Sequence, residues 1–184
     1  MSRLEEKTLK TEKIFDGRII RLQVEEVELP NGQLSKREVV KHPGAVAILA
    51  LTDEGKMVMV EQYRKALEKT IIEIPAGKLE GNEDPLQCAK RELEEETGYG
   101  CDEIEWLISF YTSPGFADEI VHLYMAKGLH VIENSANLDE DEFVNLKEVT
   151  VQEAVQLIGE QKIYDAKTAY AVQYMQLKEA LQEK

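Results

Sequence analysis

Residues 77–99 read GKLEGNEDPLQCAKRELEEETGY, and the middle of this stretch predicts a helix with both ends marked. It runs from about Asp84 to Thr97. Asn82 or Asp84 can cap the start, Pro85 falls in the first turn, and Gly98 stops the helix in the left-handed conformation that glycine adopts most readily. On this helix Glu92, Glu95 and Glu96 stand at i, i+3 and i+4, so they share a face. Leu86, Ala89 and Leu93 form the apolar stripe, less than a right angle away. The carboxylates therefore lie beside the buried edge, not opposite it. Like charges at these spacings repel by roughly 0.2–0.5 kcal/mol per pair, and more where water is scarce. A hard divalent cation would relieve that repulsion, because magnesium takes oxygen ligands, keeps several waters and is shared with substrate phosphates. Arg91 can grip a neighbouring carboxylate through two parallel hydrogen bonds, and Glu83 can point toward the same region. Taken alone, the acidic run reads as a solvated helix face.

Outward from the helix the pattern is mixed. Gly44–Leu51 (GAVAILAL) reads as a strand buried on both faces, with Lys56–Tyr63 as its hairpin partner across Asp53-Glu54-Gly55. Thr70–Pro75, Ile104–Thr112, Glu119–Ala126 and Phe143–Val149 read as further strands. Ser113-Pro114-Gly115 separates two of them. Thr150 and Glu153 make a capping box for a second helix ending near Gly159, and a third helix spans about Asp165–Leu181. Together these predict an α/β fold, a mixed sheet sandwiched by helices. Residues 11–41 are more polar and break at Pro30-Asn31-Gly32, a hairpin signal. The expectation is a small N-terminal antiparallel accessory sheet over residues 1–43 that needs a partner surface, followed by a larger domain over 44–184.

The chain has 184 residues, enough for one domain with a small appendage. Its 36 acidic residues outnumber 22 basic ones, and the resulting charge of −14 would repel a nucleic-acid backbone or an anionic membrane surface. Neither partner is expected. The longest apolar run, Gly44–Leu51, is far short of the ~20 residues a membrane helix needs. Met1–Lys10 is charged, with no signal-peptide core, so a reducing cytoplasm and two free thiols, Cys88 and Cys101, are expected. His42, His122 and His130 show no zinc-binding spacing.

From Gly77 the spacing is Gly77, five residues, Glu83, seven residues, Arg91-Glu92-Leu93, one residue, Glu95-Glu96, one residue, Gly98-Tyr99. This resembles the Nudix box, G-x5-E-x7-R-E-U-x-E-E-x-G-U, with Tyr99 where an aliphatic U residue is usual. The resemblance implies the family's α/β/α sandwich and hydrolysis of a nucleoside diphosphate linked to another group. It implies a divalent-metal site of Glu92, Glu96 and the Ala76 carbonyl, with Glu95 close by, Glu83 in support and Arg91 as orienter.

Pro114, 16 residues after Gly98, resembles the ADP-ribose pyrophosphatase subgroup. That likeness implies substrate contacts from Ser113, Pro114, Gly115 and Glu119, and from Arg64. It further implies a homodimer in which Arg37 and Glu38 come from the other subunit, with Arg18 and Ile19 beside adenine. Ile19 stands where some members carry an aromatic residue. The acidic loop Leu138–Glu142 would supply the general base, Glu140, and a further metal ligand, Glu142. The implied reaction is magnesium-dependent hydrolysis of ADP-ribose to AMP and ribose 5-phosphate, manganese being an alternative ion. Two rivals stand beside it: a Nudix hydrolase of another nucleoside diphosphate sugar or nucleotide, and a non-catalytic nucleotide-sensing module.

Overall fold

The computed structural model describes residues 4–133 and 143–182. The chain divides into two compact units. One takes the chain up to Gly44 together with Phe110–Ile120; the other takes Ala45–Ser109 and the chain from Val121 onward.

In the second unit β4 (Ala45–Leu51) is the organising strand. Every residue from Val46 to Leu51 is buried, as expected for a strand covered on both faces. On one face Val46, Ile48 and Ala50 pack with Cys88, Ala89 and Leu93 of α1 (Pro85–Thr97), and with Tyr124 and Ala126 of β9 (Ile120–Val131). On the opposite face lie Ala47, Leu49 and Met125, where Lys178 of α3 (Ala166–Gln182) reaches the Met125 sulfur at 3.9 Å. Helices on both faces of a mixed sheet make the α/β/α sandwich. Each large side chain buried here stabilises the fold by roughly 1.5–3 kcal/mol.

The seven-stranded sheet has the order β10-β5-β4-β9-β8, with β10 at Val144–Val149, β5 at Met57–Arg64 and β8 at Tyr99–Tyr111. β4 runs parallel to β9. Its other edge forks. Ala50 and Leu51 pair with β5, while Ala45–Ala47 pair with the short β7 (Ala76–Lys78). β6 (Lys69–Glu73) fills the fork by pairing with the far half of β5. The fork brings β7, and with it Gly77, under α1.

The sequence does not announce β7, since three residues carry no readable period. β8 also starts at Tyr99 rather than Ile104, and β9 continues to Val131. Gly100 and Gly128 disguise these extensions. A Cβ on Gly100 would meet the His130 ring at 2.7 Å, and one on Gly128 would meet Asp102 at 2.8 Å. Both glycines make room for a neighbouring side chain, although in sequence they read as breaks. α2 (Val151–Gly159) forms with its capping box, where the Glu153 N–H donates to Thr150 Oγ1 and the Thr150 N–H donates to the Glu153 carboxylate.

In the first unit β1 (Lys7–Asp16), β2 (Arg21–Glu28) and β3 (Leu34–Lys41) form an antiparallel sheet in that order. The turn at 30–32 is as the sequence predicts: Gly32 takes φ +81° and its N–H donates to the Leu29 carbonyl. Val40 of β3 bridges the 113–119 segment, donating to the Phe116 carbonyl at 2.7 Å and accepting from Asp118 N–H at 3.1 Å.

Candidate active site

The site in the second unit grows from the ends of α1. Asp84 is the N-cap: its Oδ1 accepts from the N–H groups of Leu86 and Gln87 at 3.0 and 3.2 Å, and Pro85 follows. Gly98 closes the helix at φ 72°, its N–H donating to the Glu94 carbonyl. Between these ends Glu92 and Glu96 are buried, 9% and 6% exposed, in line with Cys88 and beside Ala89 and Leu93. The pattern predicted carboxylates at the buried edge, and for these two that is their position. Glu95 stands further out.

Two backbone features hold the buried pair. Glu96 Oε2 accepts from the Ala76 N–H at 2.9 Å, which ties helix to β7. Glu92 lies directly on Gly77, where a Cβ would fall 1.8 Å from its carboxyl carbon. Glycine at the head of the motif is thus required by close approach.

Arg91 ties the remaining carboxylates together. Its Nε and Nη2 donate to the two oxygens of Glu83, each at 3.0 Å. Its Nη1 donates to Glu95 at 2.7 Å and lies 2.8 Å from Glu92 Oε1. The bidentate grip holds the Glu83 carboxyl well below the usual carboxylate range, at about 2. Burial, then the Glu83 hydrogen bond, pushes the Cys88 thiol up to about 12, so it stays protonated at neutral pH. Arg91 thus bridges three carboxylates, and one guanidinium among four of them leaves the cluster with an excess of acidic groups.

Among the described residues, no three acidic, histidine or cysteine side chains form a closed metal cage. An open site for a hard cation needs less: one or two carboxylates, waters and substrate oxygens. Buried Glu92 and Glu96 with the backbone of Ala76 meet that need. The unusual Tyr99 is also accommodated. Its ring packs against the core under α1, and its hydroxyl donates to Glu148 at 3.3 Å.

The other residues expected to bind substrate are divided by unit. Arg64 ends β5, and its guanidinium is paired with Glu73 at 2.6 Å. In the first unit Arg37 forms a two-bond pair with Glu6, at 2.8 and 2.7 Å. Glu38, Arg18 and Ile19 are exposed, Ile19 at 62%. Ser113, Pro114 and Gly115 form a tight turn in which the Ser113 carbonyl accepts from both Phe116 and Ala117 N–H. Glu119 accepts from the Thr112 hydroxyl and lies 3.8 Å from His42. Glu140 and Glu142 lie outside the described residues. Sequence reasoning missed Glu73 and Lys167, which stand around Arg64; only the burial of a charge inside an apolar strand hinted at Glu73.

A model of the NUDIX domain matches residues 41–171. The chain belongs to the Nudix family. A second model, the nucleoside diphosphate sugar hydrolase N-terminal domain, matches residues 6–40 of this Nudix hydrolase. It is 69% identical to the methanol dehydrogenase activator of Bacillus methanolicus, covering 98% of this chain and 97% of the relative. It is 63% identical to the ADP-ribose pyrophosphatase of Bacillus subtilis (strain 168), over 99% and 98% of the two chains. With the GDP-mannose pyrophosphatase of Cronobacter sakazakii it shares 34% identity over 78% of each. The solved structure of an ADP compounds hydrolase superposes with a TM-score of 0.83 at 20% identity, covering all of this chain and 97% of that one. At that identity the match speaks to the Nudix fold alone.

Proposed function

We propose that this Nudix hydrolase cleaves the pyrophosphate of ADP-ribose, giving AMP and ribose 5-phosphate. One observation carries the substrate: 63% identity to an ADP-ribose pyrophosphatase along essentially the whole of both chains. The proline turn at Ser113–Gly115 supports the same reading.

The residues divide the work. Glu92 and Glu96, with the Ala76 carbonyl, would hold a divalent cation, magnesium by its preference for oxygen; Glu142 would add a ligand. Bound there, such an ion offsets phosphate charge and lowers the pKa of a coordinated water. Arg91 keeps Glu83, Glu92 and Glu95 in place. Glu140 takes the proton from the water that attacks one phosphorus in line, and the bridging P–O bond breaks. Arg64, Ser113, Pro114, Gly115 and Glu119 contact the phosphates and ribose.

The protein acts as a homodimer in this reading. Residues 1–43 serve dimerisation, and Arg18, Ile19, Arg37 and Glu38 complete the adenine site of the other subunit. β1 supports this, since all ten of its residues are exposed, Ile14 and Phe15 among them. A small sheet with one open face is marginal by itself. The protein acts in the cytoplasm.

The test is to incubate the purified protein with magnesium and ADP-ribose, beside GDP-mannose and other nucleoside diphosphate sugars, and to assay AMP and ribose 5-phosphate. Selective cleavage of ADP-ribose is expected. Preference for GDP-mannose would retain the hydrolase and discard the substrate. Ligand binding without turnover would point to a sensing module. A second reading follows from the 69% identity to a methanol dehydrogenase activator: the chain activates a methanol dehydrogenase. Adding the chain to methanol dehydrogenase and recording its rate tests this.

A further inference from the structure

A second charged cluster lies at the far end of the β5–β6 pair. Glu73, at the end of β6, is 3% exposed. Its Oε2 accepts from Arg64 Nε at 2.8 Å and lies 2.6 Å from Arg64 Nη2. Its Oε1 accepts from Lys167 Nζ at 3.1 Å, and Lys167 also donates to Asp165 Oδ1 at 3.0 Å. Asp165 Oδ1 in turn accepts from the Thr168 N–H at the start of α3, and the fully buried Thr168 hydroxyl accepts from the Ile74 N–H.

Two features turn this from a simple salt bridge into an aiming device. First, the strand register sets Glu73 opposite Val60, whereas Arg64 stands opposite Lys69. The arginine side chain is therefore drawn back along β5 by its ion pair. Second, Glu73 occupies one edge of the guanidinium. Among the described residues no other bond to that guanidinium is seen, and the Arg64 side chain is 40% exposed, which leaves Nη1 to donate to an anionic or hydroxyl-bearing ligand. Lys167 and the Thr168–Ile74 bond fix Glu73 and its neighbour against α3, and this anchors the pair.

We propose that Glu73 is a positioning residue that sets the direction of the Arg64 guanidinium for substrate, with Lys167 and Asp165 bracing Glu73 from behind. This rests on the reading of Arg64 as a contact to the phosphates or ribose of ADP-ribose. Glu73 touches no substrate itself. Its loss weakens binding through Arg64 and leaves the chemical step largely intact, which is the signature of lost uniform binding.

The experiment is a kinetic double-mutant cycle on the full chain with ADP-ribose and magnesium. Arg64→Ala is expected to raise KM at least tenfold. Glu73→Gln should raise KM by a similar factor with kcat within threefold and an unchanged half-saturating magnesium concentration. Adding Glu73→Gln to Arg64→Ala should change KM by less than twofold. If the two KM factors multiply, or if Glu73→Gln alters the magnesium dependence, Glu73 acts independently of Arg64 and the proposal fails. If Arg64→Ala leaves KM unchanged, the Arg64 contact itself is wrong. Arg64→Lys gives a separate test without touching the buried carboxylate. It keeps the charge but loses the planar fork, and a KM at least fivefold higher is expected. An unchanged KM would show that aim is irrelevant and overturn the proposal.

Discussion

Two charged clusters in the same unit are both partly buried, yet they are built on opposite principles. Around Glu73 the signs balance: two cations, Arg64 and Lys167, meet two carboxylates, Glu73 and Asp165. On α1 a single Arg91 faces Glu83, Glu92 and Glu95, and Glu96 is buried beside them. Buried charge is tolerated when paired and hydrogen-bonded, and is costly otherwise. The first cluster is balanced in charge, although Asp165 Oδ2 is buried without a hydrogen-bond partner among the described residues. The second keeps an excess of negative charge that an incoming cation would offset. The contrast separates a charge-balanced cluster from one whose negative excess an incoming cation would offset.

The comparison is tested most sharply by removing one carboxylate from each cluster. Glu96→Gln keeps an acceptor for the Ala76 N–H but removes a charge proposed above to hold the cation. Activity on ADP-ribose should fall by roughly a thousandfold or more, on the order of 4 kcal/mol of barrier. The thermal midpoint in chelator should stay level or rise, because repulsion is relieved; a clear fall would break the contrast. Glu73→Gln should do the reverse to stability, costing about 3 kcal/mol in urea unfolding as two cations lose their buried anion.

Gly77→Ala probes the close approach. The added Cβ must displace the Glu92 carboxylate, the mobile end of its side chain, and not the backbone. A loss of about a hundredfold in turnover is expected, with stability nearly unchanged. Wild-type turnover would mean that the position of Glu92 is unimportant. The smallest effect concerns acid. Arg91 lowers the Glu83 pKa to about 2, so its stabilisation is fully present above the unfolded carboxylate pKa and is lost as pH falls through about 2. After allowance for solvent screening, Glu83→Gln should cost about 1 kcal/mol in chelator at pH 7. That difference should close as the pH is lowered toward 2. A pH-independent cost would assign the loss to packing.

Much of this was legible in the chain itself. α1 begins and ends at the residues its caps predict, because Asp84, Pro85 and Gly98 act locally. β4 is recognisable because a run of aliphatic residues has only one way to be buried on both faces. Less legible were β7 and the outer halves of β8 and β9. β7 is too short to show a period, and its pairing with β4 depends on the fork in the sheet. In β8 and β9 the glycines read as breaks, since the side chains that need their space arrive from another strand.

The same division runs through the site. The spacing of Glu92, Glu95 and Glu96 placed them on one helix face, because 3.6 residues per turn is a local property of the backbone. Which of the three are buried was a matter of packing: Glu92 sits on Gly77, Glu96 on the Ala76 amide, and Glu95 reaches out to Arg91. The motif therefore determined the family and the carboxylate helix. Tertiary structure alone decided that Glu73 would hold Arg64, with Lys167 behind it, 94 residues further along the chain. No local rule relates charges so far apart; they meet because the end of β6 is bonded to the first turn of α3, through Ile74 to Thr168, and a buried carboxylate must find its cations there.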